Sequence, residues 1–539
     1  MTIRAKESVE INASGLLTTS FNSRNAGSIA IETGQLSVSD GAFVSPSTLG
    51  TGNSGNLIVT ASDSVIVARD RSDSPLNTAL ATNSVGTGMA GNIEINTRSL
   101  RIEAGASISS SSGVNTKERV IPEGGPGGNI TVNASGSVEV LGTSAGSIPF
   151  PSAIGAGTFG SGKGGDVTLN ARRLILQGGG SILASTLGAG NAGNLTVTAD
   201  ESVEIAGTTT LGFPSTLSTA SGDLLIQTLF RLQPPSGAAG SLSIATGRLS
   251  VRDGAGVSVP SFGTGTAGSI NVVADSIALN TRGRIDGTTR LGTGANITLQ
   301  ARDIQLLNNS RITTDALAGE GGNITLNSDL LVGRNNSDIT AYARSAAGGR
   351  VNVNVPSILG FTATSREQIK SRLGLTDAQL EALQENPTSR LPTSDIAALS
   401  QSSAPALPAA VNPAQGLVEL PQNIVAPAAL IAANPCTEGT ESAFTVTGKG
   451  GLPLSPDDTL SSAASPFAWV EEAQISATDK VRDVTDQQAR EFGEIRDREV
   501  VPARGWVVNA QGEVMLVANQ VGGQLDDRTR PPLSVCQPR

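Results

Sequence analysis

Short runs of alternating apolar and polar residues recur along the first two thirds of the chain. Most runs begin with Gly-Asn or Gly-Ser and continue with Ile, Leu or Val at every second position, as in 91–95 and 322–326. An alternation of period 2 predicts short strands with one inward and one outward face. The first apolar residue of each run sets its register, and these residues are Ile3, Ile29, Leu57, Ile93, Ile130, Val167, Leu195, Leu242, Ile270, Ile297, Ile324 and Val351.

The interval between register residues is usually about 27 residues, which indicates an internal repeat. Four intervals are longer, and two of the resulting insertions, 143–161 and 208–236, are predicted to be surface loops and contact regions. Most units contain two further apolar runs, so each unit predicts three strands that bury their inward faces only by stacking. We therefore predict an all-β fold: a right-handed parallel β-helix of about twelve coils over 1–357, roughly 55 to 60 Å long. A β-propeller is the main alternative, but its blades need around 40 residues and four antiparallel strands.

Asparagine recurs at the position just before the register residue, and serine or aspartate fills that position in four other units. Equivalent amides one coil apart can bond to one another and to the turn backbone, which would form a ladder. The glycine that usually precedes is expected to permit the positive φ that such corners need. We interpret six asparagines as structural ladder residues: Asn56, Asn92, Asn129, Asn194, Asn296 and Asn323.

A helical pattern replaces the strand pattern between 363 and 392. The apolar residues of this segment are spaced almost as in a helix, and it contains two pairs of residues that match the capping box. These pairs are Ser365 with Gln368 and Thr376 with Gln379. Each predicts the start of a helix.

The remaining boundaries follow from composition. We expect a helical or irregular cap over 358–400 and an extended Ala/Pro-rich connector over 401–435. The small C-terminal region, 436–539, is predicted to be mixed and partly extended. Two apolar runs on either side of 510–512 predict a β-hairpin there.

Composition also narrows the class of function. Aromatic residues make up 3% and charged residues 16% of the chain, with 64 glycines and no histidine, as expected of short strands joined by tight turns. The net charge of −10 offers no basic face for nucleic acid.

Cys436 and Cys536 either form one disulfide bond in an oxidising compartment or remain free thiols. No stretch approaches the roughly 20 apolar residues of a membrane span.

Two glycine-rich segments resemble nucleotide-binding motifs without their structural context. Residues 188–193 match GxGxxG, and 157–163 nearly complete a P-loop, but the next residue is Gly164 instead of Ser or Thr. A predicted strand follows each segment where the motif requires a helix. We interpret the first as a repeat corner and the second as a glycine-rich insertion loop.

Parallel β-helices include polysaccharide lyases and hydrolases, whose sites need two or three carboxylates on one face of adjacent coils. At the outward second position of the first strand, only Glu94 is acidic. We therefore predict a non-enzyme with no catalytic residue, no cofactor and no metal ligand. The residues at this position are Arg4, Ala30, Ile58, Glu94, Thr131, Thr168, Thr196, Ser243, Asn271, Thr298, Thr325 and Asn352.

The repeat Gly-Asn-Ile-x-Ile/Val-Asn/Thr-Ala resembles the filamentous-haemagglutinin-like exoproteins of cyanobacteria. Segments 415–425, 444–453 and 505–509 resemble the tail that follows the β-helix in that family. The resemblance also implies that 337–340 belongs to the last full coil. By the same resemblance, 394–400 would be a strand.

The resemblance implies two-partner secretion, in which an outer-membrane barrel protein exports the chain, and an extracellular or cell-surface location. Family members begin with a signal peptide and a secretion domain, which this sequence does not include; residues 1–5 instead read as part of a repeat. The main hypothesis is a non-catalytic adhesin that contacts glycans or proteins on a host or neighbouring cell. The alternatives are a structural cell-envelope protein that assembles end to end and a polysaccharide-processing enzyme.

Overall fold

The computed structural model describes residues 1–69, 77–113, 123–145, 149–223 and 233–401, and the backbone of three further strands at 410–413, 505–508 and 514–517. The chain divides into two compact units, Met1–Asn434 and Pro435–Arg539. The first unit is a parallel β-helix, as predicted.

Each coil of the first unit contains three strand segments, which form the first, second and third faces. The first two segments are often one long strand that bends at the first corner, as in β4 (Ile29–Ser39). The second corner leads to the third face, as in β5 (Phe43–Ser45), and the third corner returns to the next coil. The first and second faces form one sheet of 18 strands, and the third face forms a sheet of 13 strands.

The strands follow in chain order. They are β1 (Thr2–Arg4), β2 (Ser8–Asn12), β3 (Gly15–Leu17), β4 (Ile29–Ser39), β5 (Phe43–Ser45), β6 (Leu57–Ala68), β7 (Ala79–Ala81), β8 (Ile93–Glu103), β9 (Ser107–Ser112), β10 (Ile130–Ala134), β11 (Ser137–Leu141), β12 (Ala153–Thr158), β13 (Val167–Gln177), β14 (Ser181–Thr186), β15 (Leu195–Ala206), β16 (Thr216–Ser221), β17 (Leu242–Arg252), β18 (Gly256–Ser258), β19 (Ser269–Asn280), β20 (Arg284–Asp286), β21 (Asn296–Gln300), β22 (Asp303–Leu307), β23 (Arg311–Ala316), β24 (Ile324–Asn327), β25 (Leu330–Arg334), β26 (Asp338–Ala343), β27 (Arg350–Asn354), β28 (Ser357–Leu359), β29 (Phe361–Ala363), β30 (Ser394–Ser400), β31 (Ala410–Pro413), β32 (Gly505–Val508) and β33 (Val514–Val517). Coils are numbered 1 to 12 by their first-face strands, which are β1, β4, β6, β8, β10, β13, β15, β17, β19, β21, β24 and β27.

The predicted register is confirmed from coil 2 to coil 12. Each register residue from Ile29 to Val351 pairs with its predicted equivalent in the next coil. The prediction for coil 1 is wrong by two residues, because Ile3 pairs with Ile31 and Arg4 pairs with Glu32. A shift of two residues keeps every side chain on its face, so the alternating pattern alone does not detect it.

The inward side chains of all three faces form one continuous core. In coil 5, for example, Ile130, Val138 and Ile154 come from the three faces and are 0% exposed. Burying one such side chain contributes about 1.5–3 kcal/mol. Near the third corner the interior also holds hydroxyl groups: Ser110 Oγ donates to the carbonyl oxygen of Gly91 at 2.8 Å.

The two predicted insertion loops each contain a regular third-face strand. β12 lies within 143–161 and pairs with β9 and β14, and β16 lies within 208–236 and pairs with β14 and β18. The prediction of loops over these whole segments is therefore wrong. Gly157 and Thr158 belong to β12, so the segment that resembles a P-loop runs from a strand into the third corner.

The coil stack extends beyond the predicted limit at residue 357. After β29 the chain forms helix α1 (Arg366–Leu373), helix α2 (Asp377–Glu381) and a 3₁₀ helix (Pro387–Arg390). It then returns to the third face, where β30 pairs with β26. The strand implied by the resemblance at 394–400 is thus present.

The first face is also longer than predicted. β31 pairs in parallel with β27 and adds a strand inside the segment predicted to be a connector. For these four residues the connector prediction is wrong. Both predicted capping boxes are present, at Ser365 with Gln368 and at Thr376 with Gln379.

In the second unit, β32 and β33 pair antiparallel, as the predicted hairpin requires. Cys436 and Cys536 lie outside the described residues. Across the described part of the chain, no helix has the length and apolar character needed to cross a membrane.

Candidate functional site

The predicted ladder residues lie in one column along the third corner, which we call the asparagine column. The side-chain oxygen of each residue accepts a hydrogen bond from a backbone N–H one coil further on. Asn92 Oδ1 accepts from Asn129 N at 2.9 Å, and Asn129 Oδ1 accepts from Asp166 N at 2.9 Å. Asn56, Asn194, Asn296 and Asn323 make the equivalent bond at 2.9 to 3.3 Å.

The bonds differ in kind from those of a simple amide ladder. Amide-to-amide bonding in this column occurs between Asn323 Nδ2 and Asn296 Oδ1, at 3.0 Å. Ser269 Oγ donates to Ser241 Oγ at 2.9 Å, and the other asparagines of the column bond turn backbone, so serine and aspartate serve the same purpose. Ser28 Oγ accepts from Asn56 N at 3.0 Å, and Asp166 Oδ1 accepts from Asn194 N at 2.7 Å.

The glycine before the asparagine is required for a different reason from the one predicted. The glycines with positive φ lie elsewhere in the described chain, and Gly91, Gly128 and Gly165 are not among them. Instead, a Cβ on Gly165 would stand 1.9 Å from the carbonyl oxygen of Gly128, and one on Gly128 would stand 2.0 Å from that of Gly91. Close approach of stacked backbones, and not backbone conformation, disfavours a side chain at these glycines, although coil 10 carries Ala295, 0% exposed, at the equivalent position.

A second amide column, which sequence reasoning missed, lies at the end of the first-face strands. Asn133 Nδ2 donates to Asn96 Oδ1, and Asn170 Nδ2 donates to Asn133 Oδ1, both at 2.9 Å. We call Asn96, Asn133 and Asn170 the amide column. The signal was available, because each of these residues lies three positions after a register residue.

The amide column borders a depression at the first corner of coils 4 to 7, with a volume of about 420 Å³. The depression exists because the chain uses small residues where it bends, including Ala134, Ser135 and Ala171. We call it the first-corner depression. Its lining residues are Asn96, Thr97, Asn133, Ala134, Ser135, Asn170, Ala171, Arg172, Thr198 and Asp200.

The same corner of coils 1 to 3 holds a second depression of about 370 Å³ with a charged lining. Arg4 Nε and Glu32 Oε2 form an ion pair of 2.7 Å in it, and Lys6 also lines it. The ion pair raises the pKa of Arg4 and lowers that of Glu32, with the side-chain hydrogen bond as the main cause. Arg4 does not occupy the outward first-face position predicted for it. Thr2 takes that position, because Thr2 pairs with Ala30.

Short excursions at the second corner expose apolar side chains. In coil 5, Thr143 bridges Pro151, and in coil 7, Thr208 bridges Pro214. Phe150 is 52% exposed and Leu211 is 58% exposed. Both side chains belong to the predicted insertions, at points where the described chain leaves the coil. Loops of this kind commonly carry contacts on solenoids.

The third face of coils 9 to 11 carries three carboxylates that the sequence did not connect. Asp286 lies on β20, Asp315 on β23 and Asp338 on β26, in adjacent coils. We call them the carboxylate cluster. The segment after β29 covers this face, and Ile369, Leu391 and Tyr342 pack in one buried apolar group there.

The chain itself supplies partners for these carboxylates. Asp315 Oδ1 accepts from Thr313 Oγ1 at 2.6 Å and from Asn386 Nδ2 at 3.4 Å. Asp338 Oδ1 accepts from Asp395 N at 3.0 Å. Ser258 Oγ donates to Asp286 Oδ2 at 2.9 Å.

Burial raises the pKa of all three acids. Desolvation, opposed by the hydrogen bond from Thr313, raises the pKa of Asp315 to about 6. Desolvation, opposed by the bond from the Asp395 N–H, raises the pKa of Asp338 to about 7. The pKa of Asp286 is also raised by burial, against the nearby charge of Arg284. Acids with raised pKa values are able to donate protons near neutral pH.

The acids of the carboxylate cluster lie on one face of adjacent coils, as the sites of polysaccharide lyases and hydrolases require. The outward positions of the first face do not meet this requirement. The acids of the cluster are, however, covered and hydrogen-bonded by the chain. In the described part of the chain, no three acidic or cysteine side chains group as ligands for a metal ion.

Comparisons with models of protein families, with curated proteins and with solved structures find no match for this chain. The family resemblance drawn from the repeat and the tail therefore stays a hypothesis.

Proposed function

We propose that this chain is a surface-exposed or released adhesin-type β-helix without a catalytic role. The observation that carries the proposal is the stack of coils whose outward first-face positions bear mostly short, uncharged side chains. Register pairing places Thr131, Thr168 and Thr196 side by side on this face. Solenoids of this kind present extended surfaces for contact with partners.

The proposed partners are glycans or proteins of a host or neighbouring cell. Export through a two-partner outer-membrane transporter and an extracellular location belong to the same proposal, supported by the resemblance of the repeat and tail. The exposed Phe150 and Leu211 at the second corner are additional contact points.

An attachment assay tests the proposal. Beads coated with the full chain should adhere to cells of the producing strain or to a host surface, and excess soluble chain should compete. Deletion of the coding sequence should reduce aggregation and surface attachment, and complementation should restore both. Beads coated with an unrelated acidic protein provide the control. Equal attachment by both kinds of bead, or unchanged aggregation after deletion, would contradict the adhesin function. Unchanged aggregation together with a weakened envelope would instead favour a structural envelope protein.

The carboxylate cluster favours one second candidate, a polysaccharide-processing enzyme. Raised pKa values on acids of adjacent coils are a common arrangement for general acid–base catalysis. Purified chain would be incubated with pectin-like and alginate-like polymers, beside the variant Asp315→Asn. Turnover that the variant loses would support the enzyme and overturn the non-catalytic proposal.

A further inference from the structure

The first-corner depression of coils 4 to 7 has the features of a binding site for an extended polymer. From its geometry we infer that it binds an uncharged, extended glycan that runs along the stacking direction of the coils. The inference rests on the proposed adhesin function and names its ligand class and its site.

The amide column supplies a repeated donor and acceptor. A primary amide has two N–H donors and an oxygen with two lone pairs. Within the column, Asn133 gives one donor to Asn96 and accepts one bond from Asn170. One further donor and one further lone pair of Asn133 are therefore not used by the column. Sugar hydroxyl groups both donate and accept, so they match such a pair.

The spacing and shape suit a polymer. Successive strands of a β-helix lie about 4.8 Å apart, so the depression spans roughly 14 Å across four coils. The small side chains of Ala134 and Ala171 line it, together with the hydroxyl-bearing residues Thr97, Ser135 and Thr198. A chain of sugar rings would meet an amide at each of coils 4 to 6 and Thr198 at the same register position of coil 7.

The charges at the depression favour an uncharged ligand. Arg172 lines it, but Arg172 Nε lies 3.4 Å from Glu201 Oε1, which offsets its charge. Asp200 adds a negative charge at the same end. A polyanion such as nucleic acid or an acidic glycan would find no net positive surface here.

A peptide is less well matched. Peptides commonly bind by adding a strand to an unpaired sheet edge or by placing apolar side chains in pockets. The strands beside the depression, β8, β10, β13 and β15, are paired with each other in order. The lining residues contain no large apolar side chain.

Calorimetric titration of the full chain with uncharged hexasaccharides tests the inference. The probes are cellohexaose, mannohexaose and maltohexaose, with hexagalacturonate as the acidic probe and an Asn/Ser-rich decapeptide as the peptide probe. The decisive variant is Asn170→Ala, whose side chain is exposed at the end of the amide column. Its matched control is Asn354→Ala, because Asn354 Nδ2 makes the same kind of bond to Asn327 Oδ1, at 2.8 Å, outside the depression.

At least one uncharged hexasaccharide should bind, and Asn170→Ala should raise its Kd about three- to tenfold, as expected for the loss of one hydrogen-bonding group. Asn354→Ala should leave the Kd unchanged, and equal melting temperatures of the two variants would exclude a folding effect. The inference is overturned if no uncharged hexasaccharide binds, if hexagalacturonate or the decapeptide binds more tightly, or if both variants bind like the unmodified chain.

Failure of this inference can be told apart from failure of the proposed function. Bead attachment without hexasaccharide binding would overturn the glycan site alone. Absence of attachment by the unmodified chain would overturn the adhesin function itself.

Discussion

The third corner of the coil stack and the C-terminal cap, residues 364–393, stabilise polar groups in different ways. At the third corner the same kind of contact recurs from coil to coil and mostly joins uncharged groups, as between Asn129 Oδ1 and Asp166 N, with the Asp166 carboxylate as the exception. In the cap, contacts do not repeat from coil to coil, and several join distant parts of the chain. Asn386 Nδ2, for example, donates to Thr340 Oγ1 at 2.9 Å.

The difference affects how each region responds to change. Repeated contacts require one geometry at every coil, so a misfit in one coil disturbs its neighbours above and below. The cap instead depends on the charge state of buried acids, because desolvation penalises their ionised forms. We therefore expect the third corner to be sensitive to side-chain size and the cap to be sensitive to pH.

The largest effect is expected for Gly165→Ala. The new Cβ would stand 1.9 Å from the carbonyl oxygen of Gly128 and 2.6 Å from its carbonyl carbon, so stacked backbones would have to separate. We expect a loss of more than about 4 kcal/mol in the free energy of unfolding, at the upper end for point mutations. Denaturant unfolding followed by circular dichroism measures it.

Gly155→Ala is the control for this effect. Gly155 lies in β12, and a Cβ built there meets nothing within 4 Å. Alanine should be neutral or stabilise slightly, because it lowers the entropy of the unfolded chain. Equal effects of both substitutions would show that the close stacking of glycines is not what limits the third corner.

The next effect concerns Asp338 of β26, whose carboxyl is hydrogen-bonded by Thr388 of the cap and by the N–H of Asp395 in β30. Desolvation raises the pKa of Asp338 in the folded state to about 7, from an ordinary value of 3.8. The protonated Asp338 carboxyl favours the folded state. This contribution to the free energy of unfolding is fully present below about pH 4 and is lost as pH rises through about 7. At 1.36 kcal/mol per pKa unit, the loss is at most about 4 kcal/mol. Asp395 and Arg311 act on the same carboxyl with opposite signs.

Hydrogen exchange of β30, measured between pH 4 and pH 8, tests this prediction. After correction for the intrinsic exchange rate, protection should fall with rising pH in the unmodified chain and much less in Asp338→Asn. Asp377→Asn is the control, because Asp377 is exposed on the cap and Arg366 and Lys370 lower its pKa. A similar pH dependence in all three proteins would refute the role of the buried acid.

The structure could be predicted from the sequence where contacts repeat from coil to coil. The register of coils 2 to 12 followed from the recurrence of apolar residues, and the asparagine column followed from one recurring position. Coil 1 was misplaced because a shift of two residues preserves alternation. The glycine that usually precedes the asparagine was identified correctly but explained by φ, since the distance between stacked backbones is not visible in a sequence.

The carboxylate cluster was missed for a related reason. Asp286, Asp315 and Asp338 occupy different positions within their third-face strands, and Asp338 also depends on β30, whose chain returns after a long excursion. Such contacts leave no period in the sequence. The capping boxes of α1 and α2 were predictable because they depend only on residues three positions apart.

A smaller effect is expected for Ser365→Ala at the start of α1. Ser365 accepts a bond from Gln368 N at 3.3 Å, and Gln368 Oε1 accepts from Ser365 N at 2.8 Å. Loss of the N-cap should cost about 1 kcal/mol. The measurement is hydrogen exchange of the α1 amides, with Ser371→Ala inside the same helix as the control. If the two variants exchange alike, the capping box does not stabilise the cap.

The smallest effect is expected for Asn129→Ala in the asparagine column. Its Oδ1 accepts from Asp166 N at 2.9 Å at an exposed corner, where water can replace it, so the cost should be about 0.5–1 kcal/mol. Asn129→Ser should recover most of this loss, because Ser28 Oγ makes the equivalent bond to Asn56 N at 3.0 Å. Melting temperatures of the three proteins provide the measurement. An unchanged melting temperature in Asn129→Ala, or equal losses in both variants, would mean that the third corner depends on glycine stacking alone and not on the side-chain oxygens of its column.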